Sequence, residues 1–93
     1  MVKHIILFTV AEGADKDAVF ASAEKALMPL VGQIPGLLKI EVRKAFCGPD
    51  FVLYSEFDSE ESLKVYADHP LHLEAKSHFF PQIAGRIAAD YIV

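Results

Sequence analysis

The 93-residue chain has one cysteine, Cys47. A lone cysteine closes no internal disulfide, and with no CxxC partner it builds no thiolate zinc site, so a reducing compartment fits and a disulfide-stapled secreted scaffold is excluded. Runs of lysine and arginine are also missing, and the formal net charge is −4. That balance leaves no electrostatic footprint for nucleic acid or an anionic membrane surface. The five glycines, at positions 13, 32, 36, 48 and 85, are scattered among turns and caps. No phosphate-cradling loop is spelled out and no cofactor is expected. The largely apolar start, Met1-Val2-Lys3-His4-Ile5-Ile6, is too short to span a bilayer and lacks the long apolar region and cleavage site of a signal peptide. A cytosolic protein is expected, with neither nucleic acid nor membrane as partner.

Apolar residues, by contrast, are plentiful. They make up 53% of the chain, above the roughly 45–50% usual in soluble domains. A domain of this size buries only about 60–65% of its unfolded surface. The excess therefore points to a subunit interface on a single domain spanning residues 1–93.

Residues 2–10 are β-branched and aromatic, as strands prefer. Period two places His4, Ile6, Phe8 and Val10 on one face and Lys3, Ile5, Leu7 and Thr9 on the other. Both faces are largely apolar and both need a cover. Asp15 is placed to cap a helix whose inward stripe is Val19, Phe20, Ala23, Leu27, Leu30 and Val31. Pro29 should kink or tighten its last turn, and Gly32 should stop it. Residues 37–46 alternate with Leu38, Ile40, Val42 and Phe46 on one face. Cys47 to Asp50 has turn chemistry, so residues 51–57 return as the second arm of a hairpin.

Asp58 or Ser59 then caps a short helix with Leu63 and Tyr66 inward, ending near Ala67. Pro70 suits the first position of another helix, where its missing N–H costs nothing, and Leu71, Ala75 and Phe79 face inward before Pro81. Residues 87–93 form a last strand. The order is strand, helix, strand, strand, broken helix, strand. This is an α+β, ferredoxin-like β-α-β-β-α-β fold, with helices on one face of a four-stranded antiparallel sheet. The bare sheet face, carrying Ile5, Leu7, Val52 and Tyr54, would be covered by a second copy of the sheet.

One stretch concentrates side chains able to move protons or bind a polar ligand: Tyr66-Ala67-Asp68-His69-Pro70-Leu71-His72. His4 stands at the far end of the sequence. Three donors, His69, His72 and Glu74, tempt a metal reading. Zinc needs three or four ligands converging in a tetrahedron, and residues 72 and 74 lie on different sides of a helix, so no metal site is expected. His78 reads as a surface or interface side chain.

Taken in order, Val2-Lys3-His4-Ile5-Ile6-Leu7-Phe8, Ile34-Pro35-Gly36, the run from Asp50 through Leu63, Tyr66 with His69-Pro70-Leu71-His72, and Asp90-Tyr91 resemble the stress-responsive A/B barrel (Dabb, dimeric α+β barrel) family over nearly the whole chain. The resemblance implies a homodimer joined through the sheet faces. It also implies a cavity between sheet and helices for a small apolar or phenolic ligand, lined by His4, Phe8, Phe51, Leu53, Tyr66, His69 and His72.

In the plant polyketide-cyclase branch of that family a histidine is the general base and a tyrosine assists. By position these are His72 and Tyr66, with His4 reaching the same cavity. A further histidine of that branch is Phe51 here. Histidine titrates near working pH, so His72 hydrogen-bonded to the Tyr66 phenol would be suited to abstract an acidic proton beside a carbonyl. The leading expectation is a small-molecule-binding dimer with no assured catalysis. The alternatives are a cofactor-free enzyme of the same fold, either a cyclase-like proton-transfer catalyst or an oxygenase, and a purely structural dimer.

Overall fold

The computed structural model describes all 93 residues, Met1 to Val93. Strand β1 (Val2–Val10) leads into helix α1 (Lys16–Leu27), which is followed by β2 (Leu37–Lys44), β3 (Phe51–Phe57), α2 (Glu60–Asp68), α3 (Pro70–Ser77) and β4 (Ile83–Ile92). The four strands make one antiparallel sheet in the order β2-β3-β1-β4. The expected ferredoxin-like α+β architecture is therefore the one observed.

Local chemistry sets most boundaries. The Asp15 carboxylate accepts from the Ala18 N–H at 3.1 Å and caps α1. Beyond Leu27 the helix tightens into a 3-10 turn, Met28–Leu30, with Pro29 inside it, as the missing proline N–H requires. Of the two possible caps for α2 it is the Ser59 hydroxyl that accepts, from the Ser62 N–H at 3.1 Å.

Alternation along β1 buries Val2, His4, Ile6, Phe8 and Val10 beneath the helices. From β3 come Phe51, Leu53, Ser55 and Phe57 on the same side. Helices contribute Val19, Ala23, Leu27, Tyr66 and Ala75. Full burial of a side chain such as Phe57 contributes about 1.5–3 kcal/mol, so this single layer of contacts carries the fold.

Several sequence expectations need correction. Leu38 is exposed and Leu37 is buried instead, because the β2–β3 register slips between Leu37 and Lys39. Such a bulge inserts one unpaired residue and reverses the face of everything before it. Phe46 lies beyond the end of β2 and is fully exposed, and Val31 lies outside the helix and faces solvent. Leu71 is also exposed, so α3 buries Ala75, with Phe79 following in the turn. Strand β4 starts at Ile83, four residues ahead of the expected Ile87, because pairing with Thr9 and Val10 continues it past Gly85.

The helical layer is narrower than the sheet. Along β1 the helix-facing residues His4, Ile6 and Phe8 are buried, whereas their cross-strand neighbours Asp90, Ala88 and Arg86 on β4 are exposed. Space remains beside that edge strand, next to Arg86 and along Asp90 to Ile92.

Candidate functional site

The α2–α3 corner supplies the first half of the site. Pro70 opens α3, and His69 serves both as the residue that ends α2 and as the N-cap of α3. The His69 Nδ1 accepts from the Leu71 N–H at 3.1 Å. One turn on, the His72 Nδ1 lies 3.2 Å from the Ala67 carbonyl oxygen. A carbonyl only accepts, so Nδ1 carries the proton in the neutral ring and Nε2 is left as a bare acceptor. Burial is the main cause holding the His72 pKa below its ordinary value of 6.5. The charge of Lys76 adds to the shift, and the Ala67 carbonyl partly opposes it.

Tyr66 sits on the last turn of α2, is only 2% exposed, and its hydroxyl has no hydrogen-bond partner. The expected hydrogen bond between Tyr66 and His72 is absent. The two rings stack instead, with centroids 4.0 Å apart and planes 28° from parallel. Burial raises the Tyr66 pKa far above its usual 10, so the phenol keeps its proton.

The sheet supplies the other half. Cross-strand pairing sets His4 opposite Asp90, and the His4 Nδ1 is hydrogen-bonded to the Asp90 carboxylate. Behind His4, the Ser55 hydroxyl donates to its carbonyl at 3.3 Å. His4 meets Phe57 edge-on at 6.3 Å, and Phe57 in turn packs on Tyr66 at 5.0 Å.

Between these halves lies a cavity of about 210 Å³. His4, Phe8, Leu53, Tyr66 and His72 line it, so five of the seven side chains expected there are brought together. Phe51 and His69 do not line it. Phe51 stacks on Phe8 at 4.9 Å and meets Phe20 edge-on, within the core, and His69 turns its ring to the helix cap. The Phe79 and Phe80 side chains border the cavity without closing it, and Lys76 and Arg86, unforeseen from the sequence, complete its wall.

A wider groove of about 580 Å³ runs between α2 and the end of β4, and His4, Leu63 and Ala67 border both spaces. Lys76 and Arg86 carried no local motif, and nothing in the sequence tied Asp90 to His4. Asp90 is 86 residues from His4, and only the β1–β4 register brings them together. His78 is exposed and pairs with Glu74 at 3.3 Å, away from the cavity. Nowhere do three His, Cys, Asp or Glu side chains converge as a metal ion would require. No helix is long and apolar enough to cross a membrane.

A four-stranded antiparallel sheet, helices on one face and a histidine- and tyrosine-lined cavity between the layers define a ferredoxin-like α+β protein of the A/B barrel type. The chain belongs to the stress responsive A/B barrel domain (Dabb) family, whose model matches residues 2–93. An uncharacterized protein of Streptomyces coelicolor is 32% identical over 97 residues, covering 98% of each chain. A dimeric protein of unknown function and ferredoxin-like fold from Bacteroides fragilis superposes with a TM-score of 0.89. It is 33% identical, and the match covers 99% of this chain and 95% of that one. A dimeric ferredoxin-like protein of unknown function from Thermobifida fusca gives a TM-score of 0.83 at 27% identity, covering 99% and 90%.

Proposed function

We propose that the chain is a cytosolic homodimeric small-molecule-binding protein, joined through the open sheet face and taking its ligand into the cavity between sheet and helices. The observation that carries this reading is the open cavity bordered by Tyr66, whose buried hydroxyl has no partner within the protein. A desolvated donor without an acceptor is unfavourable, and a ligand oxygen would satisfy it. The dimer draws support from the half-exposed apolar face of Ile5, Leu7 and Val52, continued by exposed Ile87 and Ala89. The Bacteroides and Thermobifida relatives, both described as dimeric, favour it too.

A second reading has its own support. His72 presents a bare Nε2 in its neutral form beside a neutral phenol, an arrangement suited to general-base removal of a proton next to a carbonyl, with Tyr66 donating to the resulting enolate. His4, steadied by Asp90, would help to position the substrate. Calorimetry with a panel of phenolic and polyketide-like compounds tests the binding reading, and binding by none of them would overturn it. Turnover of the same panel by wild type and His72→Ala tests the second, and equal rates would exclude His72 as the base. A monomer at micromolar concentration in the ultracentrifuge would overturn the dimer.

A further inference from the structure

We propose that the cavity takes a small aromatic carboxylate, its carboxylate held by Arg86 and Lys76 and a neighbouring oxygen accepting from the Tyr66 hydroxyl. The proposal rests on the binding reading above and names the ligand's class. Five of the nine basic side chains, Lys3, Lys16, Lys39, Arg43 and Lys44, lie within ion-pair distance of a carboxylate. Arg86 and Lys76 have no such partner, yet they border the same cavity. No aspartate or glutamate lines it. In a chain with 13 acidic and 9 basic residues, a wall with two unneutralised cations runs against the average composition and suits an anionic guest.

Geometry adds to the charge argument. The Lys76 Nζ lies 4.4 Å from the centroid of the Phe80 ring, which also borders the cavity, so the ammonium is kept at the rim. Arg86 stands opposite Phe8 on the helix-facing side of β4. Its planar guanidinium offers two parallel donors that match a carboxylate's two oxygens. The third donor is the Tyr66 hydroxyl, buried and unpartnered. The nearest acid on the strand, Asp90, is engaged with His4 and borders the outer groove rather than the cavity. The remaining walls are mostly apolar and aromatic, which suits a flat ring. A volume of about 210 Å³ lies below the roughly 300–1,000 Å³ of sites for drug-sized ligands, so one ring fits better than a fused polycycle.

The test pairs acids with their uncharged amides. Calorimetry of the wild-type protein at neutral pH and low salt would compare benzoate with benzamide and salicylate with salicylamide. At least one acid is expected to bind about tenfold more tightly than its amide, and Arg86→Gln and Lys76→Gln are each expected to weaken it by about tenfold, the loss typical of one charge-assisted hydrogen bond. The double variant should bind acid and amide alike. Both positions are exposed or half-buried, so the variants should fold, and circular dichroism would verify it. Amides bound as tightly as acids, or acids bound equally by the two variants, would overturn the carboxylate assignment. If uncharged rings bind and lose affinity in Tyr66→Phe, the binding cavity survives that failure. If no compound binds, both readings fall.

Discussion

The Tyr66 and His72 rings are stacked, with centroids 4.0 Å apart, and no hydrogen bond joins them. Each side chain therefore keeps one polar atom uncommitted within the protein: the phenol O–H of Tyr66 and the Nε2 of His72. A direct bond between the two would have consumed both. The stack fixes their relative orientation through ring contact and leaves their hydrogen-bonding capacity for a third party.

The first prediction concerns the unpaired hydroxyl. An unsatisfied buried hydroxyl costs about 1–3 kcal/mol, so Tyr66→Phe should leave the free protein as stable as wild type or raise its stability by about 1 kcal/mol, while ligand affinity falls. Urea denaturation without ligand reads the first effect and calorimetry the second. A loss of more than about 1 kcal/mol would mean that the hydroxyl has a partner in the folded chain.

The second concerns pH. Burial lowers the His72 pKa in the folded state, so between the folded pKa and the unfolded value of about 6.5 the unfolded chain binds more protons. Stability contributed by His72 is then complete above about 6.5 and is lost as pH falls toward the folded pKa. Thermal midpoints measured from pH 7.5 down to 5 should decline less steeply in His72→Gln than in wild type. An NMR titration midpoint for His72 above 6.5 would reverse the sign and refute the desolvation argument.

A third prediction separates two glycines. Gly36 has φ +84°, and a Cβ added there would collide with the Ser62 hydroxyl and approach Asp58 Oδ1 to 2.9 Å. Gly48 has φ +98° with nothing within 4 Å. Gly48→Ala should cost only the backbone term, about 1 kcal/mol, whereas Gly36→Ala should cost that plus the collision, about 2–4 kcal/mol in all. Chemical denaturation of both variants decides it, and equal losses would show that the Ser62 side chain yields freely.

The fourth tests the interface. Ile87 is 66% exposed on the open sheet face, so Ile87→Arg should barely change the stability of one subunit yet oppose burial against a second sheet. Sedimentation should show wild-type dimers and Ile87→Arg monomers. Val65→Arg, on the outer surface of α2, is the control and should sediment as wild type does.

What was legible in the sequence followed from periodicity and capping. The two-faced apolar pattern of β1, the Pro70 start of α3 and the Phe51–Phe57 return strand are local signals and stand as read. Leu38 misled because strict alternation cannot register a bulge, which depends on the partner strand. The beginning of β4 at Ile83 was hidden for a similar reason, since Ala84 and Gly85 favour no strand until Thr9 and Val10 pair beside them. Within the candidate site, Tyr66, His69 and His72 stood out by being close in sequence. Arg86 and Lys76 did not, because a single cation shows its lack of a partner only after every carboxylate has a position.

The edge strand β4 carries a consequence for how such a protein can change. Its helix-facing residues Arg86, Ala88 and Asp90 are exposed, while the core is assembled from β1, β2, β3 and the helices. Substitutions at Arg86, which borders the cavity, can therefore reshape its wall without opening a void in the packed interior, where truncating a residue such as Phe8 would cost about 3–5 kcal/mol. The Arg86 edge of the cavity lies on a different strand from the packed core, so selection can revise the one while leaving the other intact.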